Sequence, residues 1–194
     1  MTLHFILGSA SPRRKELFER MGLSFSVYPV NIDESVSFNR KRPADVVKEL
    51  ARKKMDALKN ENEYDQDILV TADTLVFLKG QVLGKPSNRR EAYEMLRSLS
   101  GKTHSVYTGV CICPGAGQVA FYERTQVDFM PLSGEVIERY LDFNEYKGKA
   151  GAYAIQGRGA FFISSISGDY YNVVGFPVNA FIRTLSREWG ISLL

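Results

Sequence analysis

Cysteine is almost missing from this chain: its 194 residues carry two, Cys111 and Cys113, within Val-Cys-Ile-Cys. Residues two apart on a strand point to the same face, so these thiols are not a disulfide framework. They read as two small strand residues in a reducing compartment. Histidine is equally scarce, with only His4 and His104, which argues against a zinc site of Cys and His ligands. No apolar run approaches the roughly 20 residues of a membrane span. The opening Met-Thr-Leu-His-Phe-Ile-Leu-Gly has neither the charged leader nor the long apolar core of a signal peptide. The expected location is cytoplasmic, with no membrane partner. Charge excess is lacking too: a net +3 permits an anionic small-molecule partner but is too weak to argue for nucleic acid. No repeat, low-complexity tract or clear linker is present.

What is there suits a folded core. Hydrophobic residues make up 44% and charged residues 24%, the balance of an ordinary globular chain of one domain or two closely joined lobes. Leu3 to Leu7 is a short apolar run that leads into Gly8-Ser9-Ala10-Ser11-Pro12. Ser11 suits an N-cap and Pro12 the first helical position. Leu17, Phe18 and Met21 make the stripe of that helix, and Gly22 ends it. A strand near Phe25 to Val30, a polar loop and a helix from Pro43 follow. Ile68 to Ala72 reads as a buried strand, with hairpin arms at Leu75 to Leu78 and Gln81 to Leu83.

A third helix spans Arg89 to Leu99, capped by Asn88. Two long strands follow, near Ser105 to Cys113 and Val119 to Phe129, and Ser133 caps a helix to about Phe143. Gly148 to Gly159 reads as a glycine-rich loop, Phe161 to Ile166 and Tyr170 to Val174 as a hairpin, and Pro177 to Trp189 as a closing helix. Alternation early and hairpins late argue for an α/β fold with a mixed sheet.

Several polar groups stand where apolar ones belong. A helix N-terminus attracts anions, yet Arg13 and Arg14 occupy the first turn where acids are expected. Arg14 shares the face of Leu17, Phe18 and Met21 and so points inward. The two arginines either reinforce an anion site or pair with acids such as Glu16. In the second helix, Arg52 and Lys53 align with the polar face. Lys54 instead shares the stripe of Val47, Leu50 and Ala51. A buried lysine is costly unless paired, so it meets a carboxylate or a phosphate, or its chain snorkels out to water. Asp73, between two apolar runs, sits at a strand end where α/β folds place chemistry, or else forms a turn. Glu34 and Lys85 are weaker candidates on their own.

Other signals fail on context. Ser100-Gly101-Lys102-Thr103 mimics the end of a P-loop, but Leu96 stands at its first glycine and a strand follows. Gly157-Arg158-Gly159 lacks the spacing of a dinucleotide fingerprint. Arg40-Lys41-Arg42 and Arg89-Arg90 read as solvated faces.

Four segments in order, Ser9 to Leu17 (Ser-Ala-Ser-Pro-Arg-Arg-Lys-Glu-Leu), Ala72-Asp73-Thr74, Gly84-Lys85-Pro86 and Lys149 to Gly157 (Lys-Ala-Gly-Ala-Tyr-Ala-Ile-Gln-Gly), carry a resemblance to the Maf family of nucleotide pyrophosphatases. Leu99 to His104 and Asn172 to Pro177 extend the match over nearly the whole chain. The resemblance implies one Maf-type domain over 1–194, a mixed α/β fold with two lobes around a central cleft, shared with inosine-triphosphate pyrophosphatases. It assigns phosphate binding to Ser9, Arg13 and Arg14, the acidic loop to Glu34, the helical lysine to Lys54, the general base to Asp73 and the post-hairpin lysine to Lys85.

The Ile-Gln-Gly stretch resembles the branch acting on dTTP and UTP, in which Arg13, Thr74 and Gln156 correspond to residues tied to substrate choice. The expected chemistry is release of pyrophosphate from a nucleoside triphosphate. Glu34 and Asp73 hold Mg²⁺ or Mn²⁺, and Lys54, Lys85, Arg13 and Arg14 neutralise the phosphates. Gln156 has a donor and an acceptor for a pyrimidine edge, and Thr74 completes that reading. Where the family often has Asp, this chain has Asn88. The competing readings are a pyrophosphatase of modified pyrimidine or 7-methyl-GTP nucleotides, and a non-catalytic septum-formation inhibitor that binds nucleic acid. A homodimer is compatible with the family, though no residue argues for it.

Overall fold

The computed structural model describes residues 3–32, 42–61, 67–115 and 117–193. Along the chain run β1 (Phe5–Gly8), α1 (Pro12–Arg20), β2 (Phe25–Val27), α2 (Pro43–Glu61), β3 (Ile68–Leu78), β4 (Gln81–Leu83) and α3 (Arg89–Leu99). There follow β5 (Thr103–Pro114), β6 (Val119–Phe129), α4 (Gly134–Asp142), β7 (Ile163–Ser167), α5 (Tyr170–Val174) and α6 (Val178–Trp189), with short 3₁₀ turns at Ala150–Ala152 and Arg158–Phe162. The strands form a mixed sheet in the order β2-β1-β3-β5-β6-β7, with β4 paired to β3. No described helix is long and apolar enough to cross a membrane.

Two compact units divide the chain: Met1–Asp73 with Thr108–Glu123 and Gly175–Leu194, and Thr74–Tyr107 with Arg124–Val174. In the first, β1 is buried along its length and runs parallel to both β2 and β3. Alternation sorts its side chains. Phe5 joins an aromatic cluster centred on Phe18 of α1, whose ring lies 5.4 Å from Phe25, 5.1 Å from Phe176 and 5.9 Å from Phe181. Ile6 faces the other way, into a cluster with Leu69, Cys111, Cys113 and the Ala51, Met55 and Leu58 stripe of α2. Both cysteines are free thiols that share one face of β5, as their strand spacing predicts, and that face is buried.

Close packing of α2 depends on one glycine. A Cβ built on Gly109 of β5 would stand 2.2 Å from the Val47 carbonyl oxygen, far inside van der Waals contact. Helix and strand backbones touch there because no side chain intervenes.

The second unit has its own core. Ala92, Leu96 and Leu99 of α3 and Ile137, Tyr140 and Leu141 of α4 cover Val76, Leu78, Val106, Val127 and Phe129. Asn88 caps α3, its side chain accepting from the Glu91 N–H, and Ser133 caps α4 in the same way through Val136. The Ser100 to Thr103 segment is the turn from α3 into β5, with the Ser100 hydroxyl accepting from the Leu132 N–H.

Several expectations need correction. The two apolar runs around Asp73 are one continuous strand, β3, and the strand after α1 stops at Val27. The segment Gly148 to Gly159 contains 3₁₀ turns. Tyr170 to Val174 is a short helix and not the second arm of a hairpin. Asp169 starts that helix by accepting from the Tyr171 N–H, and buried Asn172 donates to the Val106 carbonyl and the Thr125 hydroxyl.

Candidate active site

β1 ends at Gly8 and the chain turns at once into α1. Ser9 is buried, and its hydroxyl accepts from the Ser11 N–H at 3.2 Å and from Arg14 Nη1 at 3.1 Å. Ser11 occupies the N-cap position with extended geometry and Pro12 follows, but the Ser11 side chain makes no capping bond. The expected Ser11 cap is therefore a cap by position only: its own N–H is drawn back to Ser9, which organises the turn. Arg14 is buried, as the helical face requires, and its Nε donates to the Gly175 carbonyl at 2.8 Å. Arg13 is half-buried in the same first turn, which contains no acid. The result is a helix whose first turn carries two arginines and no acid, a charge pattern that draws a polyanion.

Lys54 and Asp73 meet on the opposite face of the β1–β3 pair. Lys54 projects from the buried stripe of α2, and its Nζ donates to Asp73 Oδ1 at 2.6 Å; the residues are 7% and 5% exposed. Those low exposures decide the question left by the sequence: the lysine meets a carboxylate, and the chain does not snorkel. Lys53 stays on the polar face beside Glu49, as predicted. Thr71, two residues before Asp73 and on the same strand face, donates its hydroxyl to the Ala51 carbonyl at 2.6 Å. That bond fixes α2 against β3 one turn from the ion pair.

Asp73 lies inside β3, not at its end, yet β1 pairs with β3 only as far as Gly8 opposite Thr71. The carboxylate therefore projects just past the carboxyl end of its parallel neighbour, where α/β sheets place ligands.

Ser9 with Arg14, and Lys54 with Asp73, are thus brought together in the first unit. Thr74, Lys85 and Gln156 belong to the second. Thr74 is half-buried on β3, Lys85 is exposed after β4, and Gln156 is exposed on a turn. The Gly151 N–H donates to the Gly84 carbonyl at 3.0 Å, tying the segment that leads to Gln156 to the Gly84-Lys85-Pro86 segment. Glu34 lies outside the described residues.

Sequence reasoning missed two residues of the second unit, His104 and Tyr153. Tyr153 carries its hydroxyl 2.8 Å from His104 Nε2 in the core of that unit. The usable signal was strand alternation, which places His104 on the face of Val106 and hence inside. Gly175, whose carbonyl holds Arg14, had no sequence signal beyond its place before Phe176-Pro177.

Comparison with known proteins identifies the family. The family model described as Maf-like protein matches residues 4–188. Proteins from Bacillus anthracis and Bacillus cereus, both named dTTP/UTP pyrophosphatase, are 46% identical over 182 residues, covering 94% of this chain and 94% of theirs. A solved structure of the Staphylococcus aureus Ham1 protein is similar over 65% of this chain and 71% of its own, at 11% identity and a TM-score of 0.46, too distant to carry an argument. With the family model spanning residues 4–188 and near-complete relatives at 46% identity, the chain belongs to the Maf family.

Proposed function

We propose that this chain hydrolyses dTTP and UTP to the nucleoside monophosphate and pyrophosphate. The observation that carries the reading is the buried Lys54–Asp73 pair at 2.6 Å, in a chain whose near-complete relatives bear the name dTTP/UTP pyrophosphatase. A carboxylate held out of bulk water beside a cation serves proton transfer from an attacking water. Arg14 and Ser9, fixed by their mutual bond, offer donors for phosphate oxygens.

The reaction balances simply. The water oxygen bonds to the α-phosphorus, its proton passes to Asp73, and the bond to the α,β-bridging oxygen breaks so that pyrophosphate leaves. Arg13, Arg14, Lys54 and Lys85 offset the charge of the triphosphate. Gln156, with one amide donor and one acceptor, reads the pyrimidine edge, and Thr74 assists.

A divalent cation, Mg²⁺ or Mn²⁺, fits this donor set. Among the described residues no group of three or more His, Cys, Asp or Glu converges. Mg²⁺ is commonly held by one or two carboxylates together with substrate phosphates and water. Asp73 would supply one carboxylate and Glu34 the other. The ion, when bound, neutralises phosphate charge and polarises the α-phosphoryl group. We place the enzyme in the cytoplasm, on its two free core thiols and its substrate class.

The test is a screen of common nucleoside triphosphates with Mg²⁺ or Mn²⁺, reading monophosphate and pyrophosphate together. dTTP and UTP are expected to turn over fastest, with both products in equal amount and no turnover under excess EDTA. Release of orthophosphate, or a preference for guanine nucleotides, would refute the reading.

A further inference from the structure

The proposed mechanism leaves a polar pair in the second unit without a task. His104 is 2% exposed, its Nε2 faces the Tyr153 hydroxyl at 2.8 Å, and its Nδ1 has no hydrogen-bond partner among the described residues. Burial pushes the imidazole down to about 4, against the opposing charge of Asp128, so the ring is neutral at working pH. A buried N–H left without an acceptor is the costlier orphan. The ring proton therefore belongs on Nε2, which donates to the Tyr153 oxygen. Edge-to-face packing with Phe129, at 4.9 Å from both rings, holds the pair in one orientation.

Tyr153 stands three residues before Gln156, and the chain between them has little freedom. Ala152, ahead of it, is fully buried in a left-handed conformation with φ 64°, uncommon for a residue with a side chain. The Gly157 N–H donates to the Ala154 carbonyl at 3.2 Å, closing a turn with Gln156 as its third residue. Beyond the turn, the Arg158 N–H donates to the Glu145 carboxylate at 2.8 Å. Gln156 itself is exposed, and this backbone fixes the position and direction from which its side chain starts. An apolar pair at 104 and 153 would fill the same space. The single bond between Nε2 and the Tyr153 oxygen favours one arrangement, since any shift of Tyr153 strands a buried donor.

We propose that the His104–Tyr153 hydrogen bond is a positioning device that aims Gln156 at the nucleobase and so sets the preference for pyrimidine over purine triphosphates. The proposal rests on the assignment of Gln156 as the base-reading residue. His104 and Tyr153 are positioning residues and touch no substrate.

The experiment compares kcat and KM for dTTP, UTP, ATP and GTP in a small set of full-length variants, with a thermal midpoint for each. Tyr153→Phe keeps the ring and removes the hydroxyl. Its kcat/KM for the pyrimidine substrates is expected to fall by about ten- to a hundredfold, mostly through KM, as misplacement of a contact group by about 1 Å does. The purine values stay as they were. His104→Gln, whose amide N–H reaches near the place of Nε2–H, retains the pyrimidine preference, and His104→Leu loses it. This second comparison decides the matter if Tyr153→Phe is too unstable to assay.

In a Gln156→Ala background, Tyr153→Phe is expected to change the preference no further. A lowered midpoint with an unmoved preference assigns the pair a structural role alone and overturns the proposal. So does an equal loss of preference with and without Gln156. If Gln156→Ala by itself leaves the preference intact, the base-reading assignment falls, and this proposal with it.

Discussion

Asp73→Asn keeps an oxygen at the position that accepts from Lys54, while removing the charge and the proposed base. Turnover is expected to fall about 10²- to 10⁴-fold, with the circular dichroism spectrum unchanged, and assay of pyrophosphate release checks it. Lys54→Met breaks the pair from the other side, leaving a carboxylate that is 5% exposed without this cation. Breaking such a pair from one side destabilises by about 3–5 kcal/mol, readable in urea titrations. Replacing both partners by apolar residues is expected to recover most of that stability and none of the turnover.

His104 makes a separate residue-level prediction. Its folded value is lowered to about 4 from 6.5 by burial. Above pH 6.5 the ring is neutral in both folded and unfolded chains, and its contribution is complete. As pH falls from about 6.5 toward 4 the unfolded chain takes the proton first, and stability drops by about 3 kcal/mol in total. His104→Gln should flatten that segment of the stability–pH curve.

At this scale the site was largely legible. Helical spacing singled out Lys54 and Arg14 as polar groups on buried faces. The identity of Lys54's partner was not legible, because Asp73 arrives from another element and only the fold decides the pairing. Tyr153 was equally hidden, since a tyrosine in a glycine-rich segment carries no periodic signal.

Among the elements, α2 is the one on which the ion pair depends most. Gly109→Ala would drive a methyl group into the Val47 carbonyl at 2.2 Å, a clash with backbone that no rotamer relieves. The expected result is a loss in the range of about 1–3 kcal/mol seen for overpacked cores, or more. A drop in turnover accompanies it, because α2 carries Lys54. Comparing Gly109→Ala with Gly84→Ala, where a Cβ meets nothing within 4 Å and φ is not in the left-handed range, separates clash from composition.

Element boundaries show where local signals run out. Caps and breakers named α3, α4 and α6 to within a residue or two of their observed ends. Tyr170 to Val174 reads as strand by its tyrosines and valines. It is helix because Asp169 and Asn172 hold it there, and tertiary bonds override a weak propensity over five residues. β3 continues through Asp73 for a related reason: an acid that breaks an apolar pattern need not break a strand when a cation meets it.

Taken whole, the molecule should respond to its substrate as a folded chain responds to any ligand that binds only the native state. A non-hydrolysable dTTP analogue at about a hundred times its Kd is expected to stabilise it by about 2.7 kcal/mol, seen as a raised thermal midpoint. The Arg14→Lys variant is expected to lose most of that rise. An ammonium cannot reproduce the fork with which the guanidinium reaches both Ser9 and Gly175.

The Gly175 carbonyl that holds Arg14 is separated from it by 161 positions of sequence. A ribosome makes Arg14 well before the group that orients it. A nascent or prematurely terminated chain therefore carries Arg14 without its carbonyl anchor. The buried anchor of α1 is therefore complete only late in synthesis, once Gly175 has joined the chain.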